Sequence, residues 1–413
     1  MVKNNYKKNF IWNIIGTTAY SFNSLFFLII VTRINGVDDA GIFTFAFSTA
    51  CLLYVIGIYS GRTYQITDTS KDISDSDYFY SKFFTVFIMF IVSVLFCLIN
   101  RYNIYKTLII LELVIYKLLE AISESSFAIL QKKDELYKVG KSLFYKAITS
   151  LLLFIIVDYL TKNVIISSST IILSNLLFII FYDIKNLKKN KFKLGKIDYS
   201  KVKKLLKKGF FAFGFTFLTL YVINAPKYPI DHLLPNKSQT IFGIIAMPAT
   251  VLILFGQYII QPYLVSLKEK LESKISDFVK LTLKISTVLL VIGILCTTIA
   301  YFIGIPLLEI MYGIKLNKYL IDLIIILIGA TFYAISVVFS TSLTTMRKTF
   351  DQFIIFFITT IFTTISSYIL VSNYKILGAC ISYMISMLFL LILYEIEFFI
   401  KIKKHRRNNN GKS

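Results

Sequence analysis

The chain has 413 residues, 56% of them hydrophobic and only 16% charged, whereas a soluble domain carries about a quarter charged residues. That balance excludes a soluble enzyme or binding module and defines a polytopic membrane protein. The net charge of +22 does not point to nucleic acid, because the lysines are confined to short segments between apolar runs, where membrane orientation accounts for them.

The opening MVKNNYKKNF leads straight into an apolar run with no small-residue cleavage site, so the first run is expected to be a retained span and not a signal peptide. A hydrocarbon core of about 30 Å needs about 20 helical residues. Twelve runs meet that length. Six fall near 10–32, 40–60, 79–99, 107–129, 141–160 and 164–182, and six more near 209–231, 240–264, 279–303, 319–342, 351–372 and 376–400. The expected fold is therefore all-α and integral to the membrane, with about twelve transmembrane helices in two parallel six-helix lobes, residues 1–182 and 209–400.

Between the lobes, residues 183–208 form a basic linker in which Lys185, Lys188, Lys189, Lys191, Lys193, Lys196, Lys201, Lys203, Lys204, Lys207 and Lys208 face only Asp183 and Asp198. The positive-inside rule places it in the cytoplasm. Both termini follow it there, including the basic tail 401–413. Loops assigned inside carry Lys132, Lys133, Lys138, Lys268, Lys270, Lys274, Arg347 and Lys348, and those outside only Arg101, Lys162, Lys237 and Lys375. Val202, Leu205, Leu206 and Phe210 recur at helical spacing, which suits either a basic amphipathic helix on anionic lipid or a solvated linker.

The seventh run is broken at Asn224-Ala225-Pro226-Lys227-Tyr228-Pro229. Two prolines remove backbone donors, leaving either irregular backbone beside a cavity or a Pro-bounded helix end at the outer interface. Pro248 and Pro262 in the eighth run raise the same question.

The stretch IIVTRINGVDDAGIFTFAFSTACLLYVIGIYSGRTYQITD, residues 29–68, resembles the amino-terminal signature of bacterial polysaccharide repeat-unit flippases of the Wzx type. Arg33 closes the first helix, Gly36 stands in the turn, Gly41-Ile42-Phe43 opens the second helix, and Gly57, Gly61 and Arg62 close it. Asn35 departs from the leucine often found before the turn glycine. The second half resembles the same family at 224–231 and at Gly243-Ile244-Ile245-Ala246-Met247-Pro248, echoing Ala40-Gly41-Ile42-Phe43 of the first. The resemblance implies the multidrug/oligosaccharidyl-lipid/polysaccharide exporter superfamily, with two six-helix lobes in a MATE-like V around a central cavity. It further implies a bacterial plasma-membrane flippase moving an undecaprenyl-pyrophosphate-linked oligosaccharide for surface polysaccharide such as O-antigen or capsule. A polysaccharide polymerase and glycosyltransferases would share that membrane.

Several motifs carry no chemistry. Gly140-Lys141-Ser142 imitates the end of a phosphate loop, but Glu135 occupies the first-glycine position and no strand precedes it. Asp75-Ser76-Asp77 imitates a glycosyltransferase DxD in a loop too short for a nucleotide domain, and is expected to be a solvated loop. His232 and His405 lack ligand spacing, and Cys51, Cys97, Cys296 and Cys380 sit inside apolar runs as core residues. No metal or other cofactor is expected.

Ionisable residues within the runs are the informative ones, since a charge at mid-bilayer costs several kcal/mol unless it faces a bundle interior or a wet cavity. In the fourth run Glu112, Tyr116, Lys117, Glu120, Ser123 and Glu124 share one half of the helix surface, and Lys117 and Glu120 are one turn apart and able to neutralise each other. In the first run Asn13, Thr17, Tyr20, Ser21 and Ser24 share a face suited to interhelical hydrogen bonds. A pyrophosphate calls for Arg or Lys in a cavity, and Arg33, Arg62, Lys117 and Lys227 are the candidates. Arg33 and Arg62 also suit interfacial anchors, and the family resemblance favours function for both. Asn13, Glu112, Glu120, Glu124, Asn224, Asp231 and Gln257 are candidates for lining the cavity or coupling a proton or sodium ion. A cation-coupled multidrug exporter of the same superfamily and a membrane glycosyltransferase or polymerase are the rivals. The first favours an acidic cavity, and the second needs carboxylates on a sizeable external loop, where the longest here, 304–318, holds only Glu309.

Overall fold

A computed structural model describes residues 2–59, 61–67, 72–190, 192 and 194–410, with the side chains of 2–5, 63, 67, 406 and 408–410 left aside. Lys191 and Lys193 of the linker, Asp68 of the signature and the last three residues of the tail lie outside the described residues. All regular structure among the described residues is helical. In order come α1 (Val2–Ile34), α2 (Val37–Ile58), the short α3 (Gly61–Thr67), α4 (Asp75–Ile99), α5 (Ile104–Lys132) and α6 (Leu136–Thr161). Next, α7 (Val164–Phe178) passes through a turn of π-helix (Ile179–Asp183) into α8 (Ile184–Lys189). Then follow α9 (Tyr199–Asn224), α10 (Lys227–Leu233), α11 (Asn236–Ile260), α12 (Leu264–Ser273), α13 (Ile275–Tyr312), α14 (Leu320–Thr345) and α15 (Thr349–Asn410).

Among the described residues, ten helical segments are long and apolar enough to cross a membrane. α5 falls outside these ten because Glu112, Lys117, Glu120 and Glu124 load it with charge, and α15, counted once among them, breaks at Lys375 (φ 54°, ψ −126°) into two passes. All twelve expected runs are therefore helical.

The chain divides into two compact units, residues 1–217 and 218–413, and the division falls within α9. In the first, local chemistry sets the helix ends. The Ser74 side chain accepts from the Asp77 amide while Asp77 accepts in return from the Ser74 amide, and Asn103 and Asn163 cap α5 and α7. Gly36, at φ 92°, makes the turn between α1 and α2. A Cβ on Gly16 would stand 2.0 Å from the Gly140 carbonyl oxygen, so α1 and α6 cross in direct backbone contact. Farther along the same two helices, Phe27 and Phe154 pack with Phe43 of α2 in the core.

Several expectations change. Gly61 and Arg62 do not close the second helix, which ends at Ile58; they open α3. The DxD look-alike is no solvated loop, because Asp75 and Asp77 form the first turn of α4 and Asp77 is buried. Asp183 does not begin a water-loving linker, since it is buried and helix continues to Lys189. The basic amphipathic segment is the first part of α9, and one side of it packs on protein. Val202 and Leu205 are buried, Tyr59 donates to the Leu206 carbonyl at 2.8 Å, and the Tyr59 ring stacks on Phe213 at 4.8 Å. In the second unit, the break at 224–229 is a helix end. Pro226 precedes α10 and Pro229 lies in its first turn, where no helical donor is needed. Pro248 is absorbed within α11, and Pro262 lies in the 3-10 turn Gln261–Tyr263 that joins α11 to α12.

Candidate functional site

The ionisable residues of residues 1–217 gather along α5. Lys117 Nζ meets Glu120 Oε2 at 2.7 Å, one turn away, and lies 5.3 Å from the Tyr54 ring centroid and 4.9 Å from that of Tyr116. Tyr20 of α1 donates to the same Glu120 oxygen at 3.2 Å. One further turn on, Glu124 faces Arg62 Nε of α3 at 3.6 Å, and Arg62 Nη1 is buried with no hydrogen bond to the protein. Lys82 of α4 donates to the Ile58 carbonyl and Thr85 to the Gly57 carbonyl at 2.7 Å, so a cation and a hydroxyl satisfy the C-terminal end of α2. Toward the other end of α5, Glu112 accepts from Ser169 at 2.7 Å.

Behind this row lies a fully enclosed pair. Lys146 Nζ of α6 meets Asp183 Oδ2 at 2.6 Å with side chains 2% and 1% exposed. Ser142 donates to the other Asp183 oxygen at 2.7 Å, and Lys146 also donates to Ser123 of α5 at 3.0 Å. The π-helical turn sets this geometry by ending on Asp183, turning its carboxylate inward where a regular helix would shift it around the axis. Near the far end of α6, buried Asp158 accepts from Ser167 at 2.8 Å and from Asn35 at 3.2 Å, so Asn35, the departure from the signature, holds a carboxylate.

Of the sequence-predicted residues, α5 thus brings together Arg62, Lys117, Glu112, Glu120 and Glu124. Arg33, itself exposed, lies in the last turn of α1, thirteen residues and so about 20 Å along that helix from Tyr20. Asn13 lies two turns from Tyr20 in the other direction, its Oδ1 buried without a partner in the protein. Residues 218–413 hold the rest. Lys227 begins α10 and borders a small cavity with Ile223, Phe242 and Tyr383, its carbonyl accepting from Gln239. Asn224 bonds its own helix at Leu220, Asp231 is half-buried and Gln257 is exposed. A roomier cavity of about 500 Å³ between α13 and α14, lined by residues such as Leu290, Thr297, Ile328 and Thr331, contains none of these ionisable groups.

Sequence reasoning missed Lys82, Lys146 and Asp183. The first two stand inside predicted runs, so the rule that selected Lys117 could have found them. Among the described residues no group of three His, Cys, Asp or Glu side chains forms a metal site.

The fold is that of MATE-type transporters. A solved inward-facing multidrug resistance MATE family transporter of the MOP superfamily matches with a TM-score of 0.72 at 12% identity, over 96% of this chain and 99% of that one. The lipid II flippase MurJ in an inward closed conformation matches with a TM-score of 0.60 at 16% identity, over 94% and 90%. In sequence, the chain is 25% identical over 394 residues to the capsular polysaccharide biosynthesis protein CapF of Staphylococcus aureus, covering 94% of this chain and 98% of that protein. No family model matches. The chain is a multi-pass membrane protein with a transporter fold, in keeping with the resemblance to Wzx-type flippases.

Proposed function

We propose that this protein flips an undecaprenyl-pyrophosphate-linked oligosaccharide repeat unit from the inner to the outer leaflet of the bacterial plasma membrane for surface polysaccharide assembly. Both termini would face the cytoplasm, with a polymerase and glycosyltransferases acting in the same membrane. The observation that carries this reading is the likeness to CapF along almost the full length of both proteins, on a fold shared with a lipid II flippase.

The site fits such cargo. Arg62 makes one long contact to Glu124 and keeps a buried nitrogen without a bond, leaving donors for a phosphate. Lys117 is held by Glu120, so an arriving pyrophosphate would compete with a carboxylate for each cation. Release would restore the ion pairs, which prevents the site from holding its cargo too tightly. Glu112, Glu120 and Glu124 are the groups at which a coupling proton or sodium ion would act. Arg33 and Lys227 would serve at earlier or later stages of passage, and Asn13, Asn224, Asp231 and Gln257 would contact the glycan.

The test is deletion of the gene in its host and analysis of lipid-linked glycan. The reading requires that surface polysaccharide be lost and its lipid-linked precursor accumulate, both reversed by the intact protein. Unchanged surface glycan together with lost efflux of cationic dyes would establish a drug exporter instead.

A further inference from the structure

At one end of the second unit, the α14–α15 turn, the end of α12 and the far end of α15 enclose a cleft of about 270 Å³ lined by Arg347, Lys348, Lys401, Lys404, His405 and Leu271. No acidic side chain is among its described lining residues. Two carboxylates lie close by, Asp351 and Glu397, and both are engaged by Lys401 at 2.9 and 2.8 Å. Positive charge therefore converges on the cleft from two separate stretches of chain, the α14–α15 turn and the far end of α15. A backbone twist helps to place it: Arg347 has φ 59°, a left-handed conformation that costs a non-glycine residue energy, and so reverses the chain within the three residues between α14 and α15.

The place of the cleft identifies its ligand. Its walls are the terminal residues of spanning segments, which puts it in the headgroup layer and not in open solvent. From Lys404 an apolar track descends the same face of α15 at intervals of four, through Ile400 (53% exposed) and Ile396 (52% exposed). A second track, Phe350, Ile354 and Phe357, descends α15 from its start. A basic recess with apolar tracks leading into the bilayer matches the phosphate and acyl chains of one lipid.

We propose that this cleft is a binding site for an anionic phospholipid headgroup, its phosphate held by Arg347, Lys348 and Lys404. The site is separate from the α5 network and does not depend on what the protein transports. With the orientation inferred from the lysines, the lipid belongs to the cytoplasmic leaflet. The charge needed for orientation alone would be satisfied by any scattered lysines, so the two accounts differ in whether position matters.

The experiment uses the purified full-length protein in detergent, titrated with short-chain phosphatidylglycerol or phosphatidylcholine and followed by native mass spectrometry. The expected result is retention of phosphatidylglycerol over phosphatidylcholine, weakened at least about tenfold in R347Q/K348Q/K404Q. A variant with the same loss of charge at exposed positions elsewhere, K188Q/K189Q/K203Q, keeps the preference. Equal weakening in both variants, or no lipid preference in the intact protein, overturns the proposal. Displacement of phosphatidylglycerol by micromolar inorganic phosphate or ATP also overturns it, assigning the cleft to a soluble phosphate compound.

Discussion

In residues 1–217 helices meet through charge, Arg62 with Glu124 and Lys146 with Asp183, while Lys117 pairs with Glu120 within α5. Across the interior of residues 218–413 they meet through neutral groups. Thr282 bonds Ser342 at 3.0 Å, Ser367 bonds Ser382 at 2.7 Å, and Gln352 ties Ser340, Thr344 and Tyr394 together. Asp322, in the N-terminal turn of α14, is the one buried carboxylate described there. Hydroxyls are a cheap way to join helices in lipid, whereas buried ion pairs seldom stabilise a fold more than apolar residues of the same size. Charge retained in one unit, where hydroxyls serve in the other, points to work beyond packing.

The sharpest way to break the comparison is at Lys146 and Asp183. Either Lys146→Met or Asp183→Asn leaves a partner enclosed and unmatched, at an expected cost of about 3 to 5 kcal/mol. Lys146→Met combined with Asp183→Leu should recover most of it. Thermal unfolding in detergent gives the comparison, and single variants as stable as the double would remove the pair from the account.

Next in size is Arg62. Lysine cannot reproduce a guanidinium fork, so Arg62→Lys should cost about 1 to 3 kcal/mol per phosphate contact and reduce glycan export at matched protein level. Arg33→Lys keeps the positive charge that a passing contact at the end of α1 needs, and should leave export intact. If both variants export fully, the arginines are anchors and attention moves to Lys117 and Lys227.

In the second unit, Ser367→Ala or Thr282→Val should cost only about 0.6 kcal/mol. A loss as large as that at Lys146 would show that neutral contacts matter as much as charged ones, and the contrast would fail.

The smallest effect concerns pH at the α5–α6 turn. Partial burial pushes the Glu135 carboxyl up, but hydrogen bonds from Lys138 and Asn190, both at 2.6 Å, outweigh it and hold the group below its usual value. A depressed carboxyl stabilises the fold above its unfolded pKa of about 4.3, and that contribution is lost as pH falls through the folded value. Glu135→Gln should flatten the fall in unfolding free energy between pH 6 and pH 3.5 by about a few tenths of a kcal/mol, given the partial exposure, as denaturation at each pH would show.

The twelve helices were legible because apolar runs of sufficient length admit few other structures in a membrane. The charged stripe on α5 was legible too, since Glu112, Lys117, Glu120 and Glu124 stand out at helical spacing. Its partners were harder to read. Lys146 and Asp183 meet only because a π-turn precedes α8, and no residue pattern announces that turn. Asp183 also sits beside eleven lysines of the linker, so composition assigned it to water while packing drew it inside. Arg62 looked like the end of the second helix because the break at Tyr59, with φ 49°, occurs at a residue that seldom adopts that conformation.

The most direct measurement is the distribution of lipid-linked glycan between the two leaflets in cells depleted of this protein and complemented with the wild type or with Arg62→Lys. The account predicts glycan confined to the inner leaflet on depletion, restored outside by the wild type and not by the variant at equal abundance. Glycan reaching the outer leaflet normally in depleted cells would contradict it.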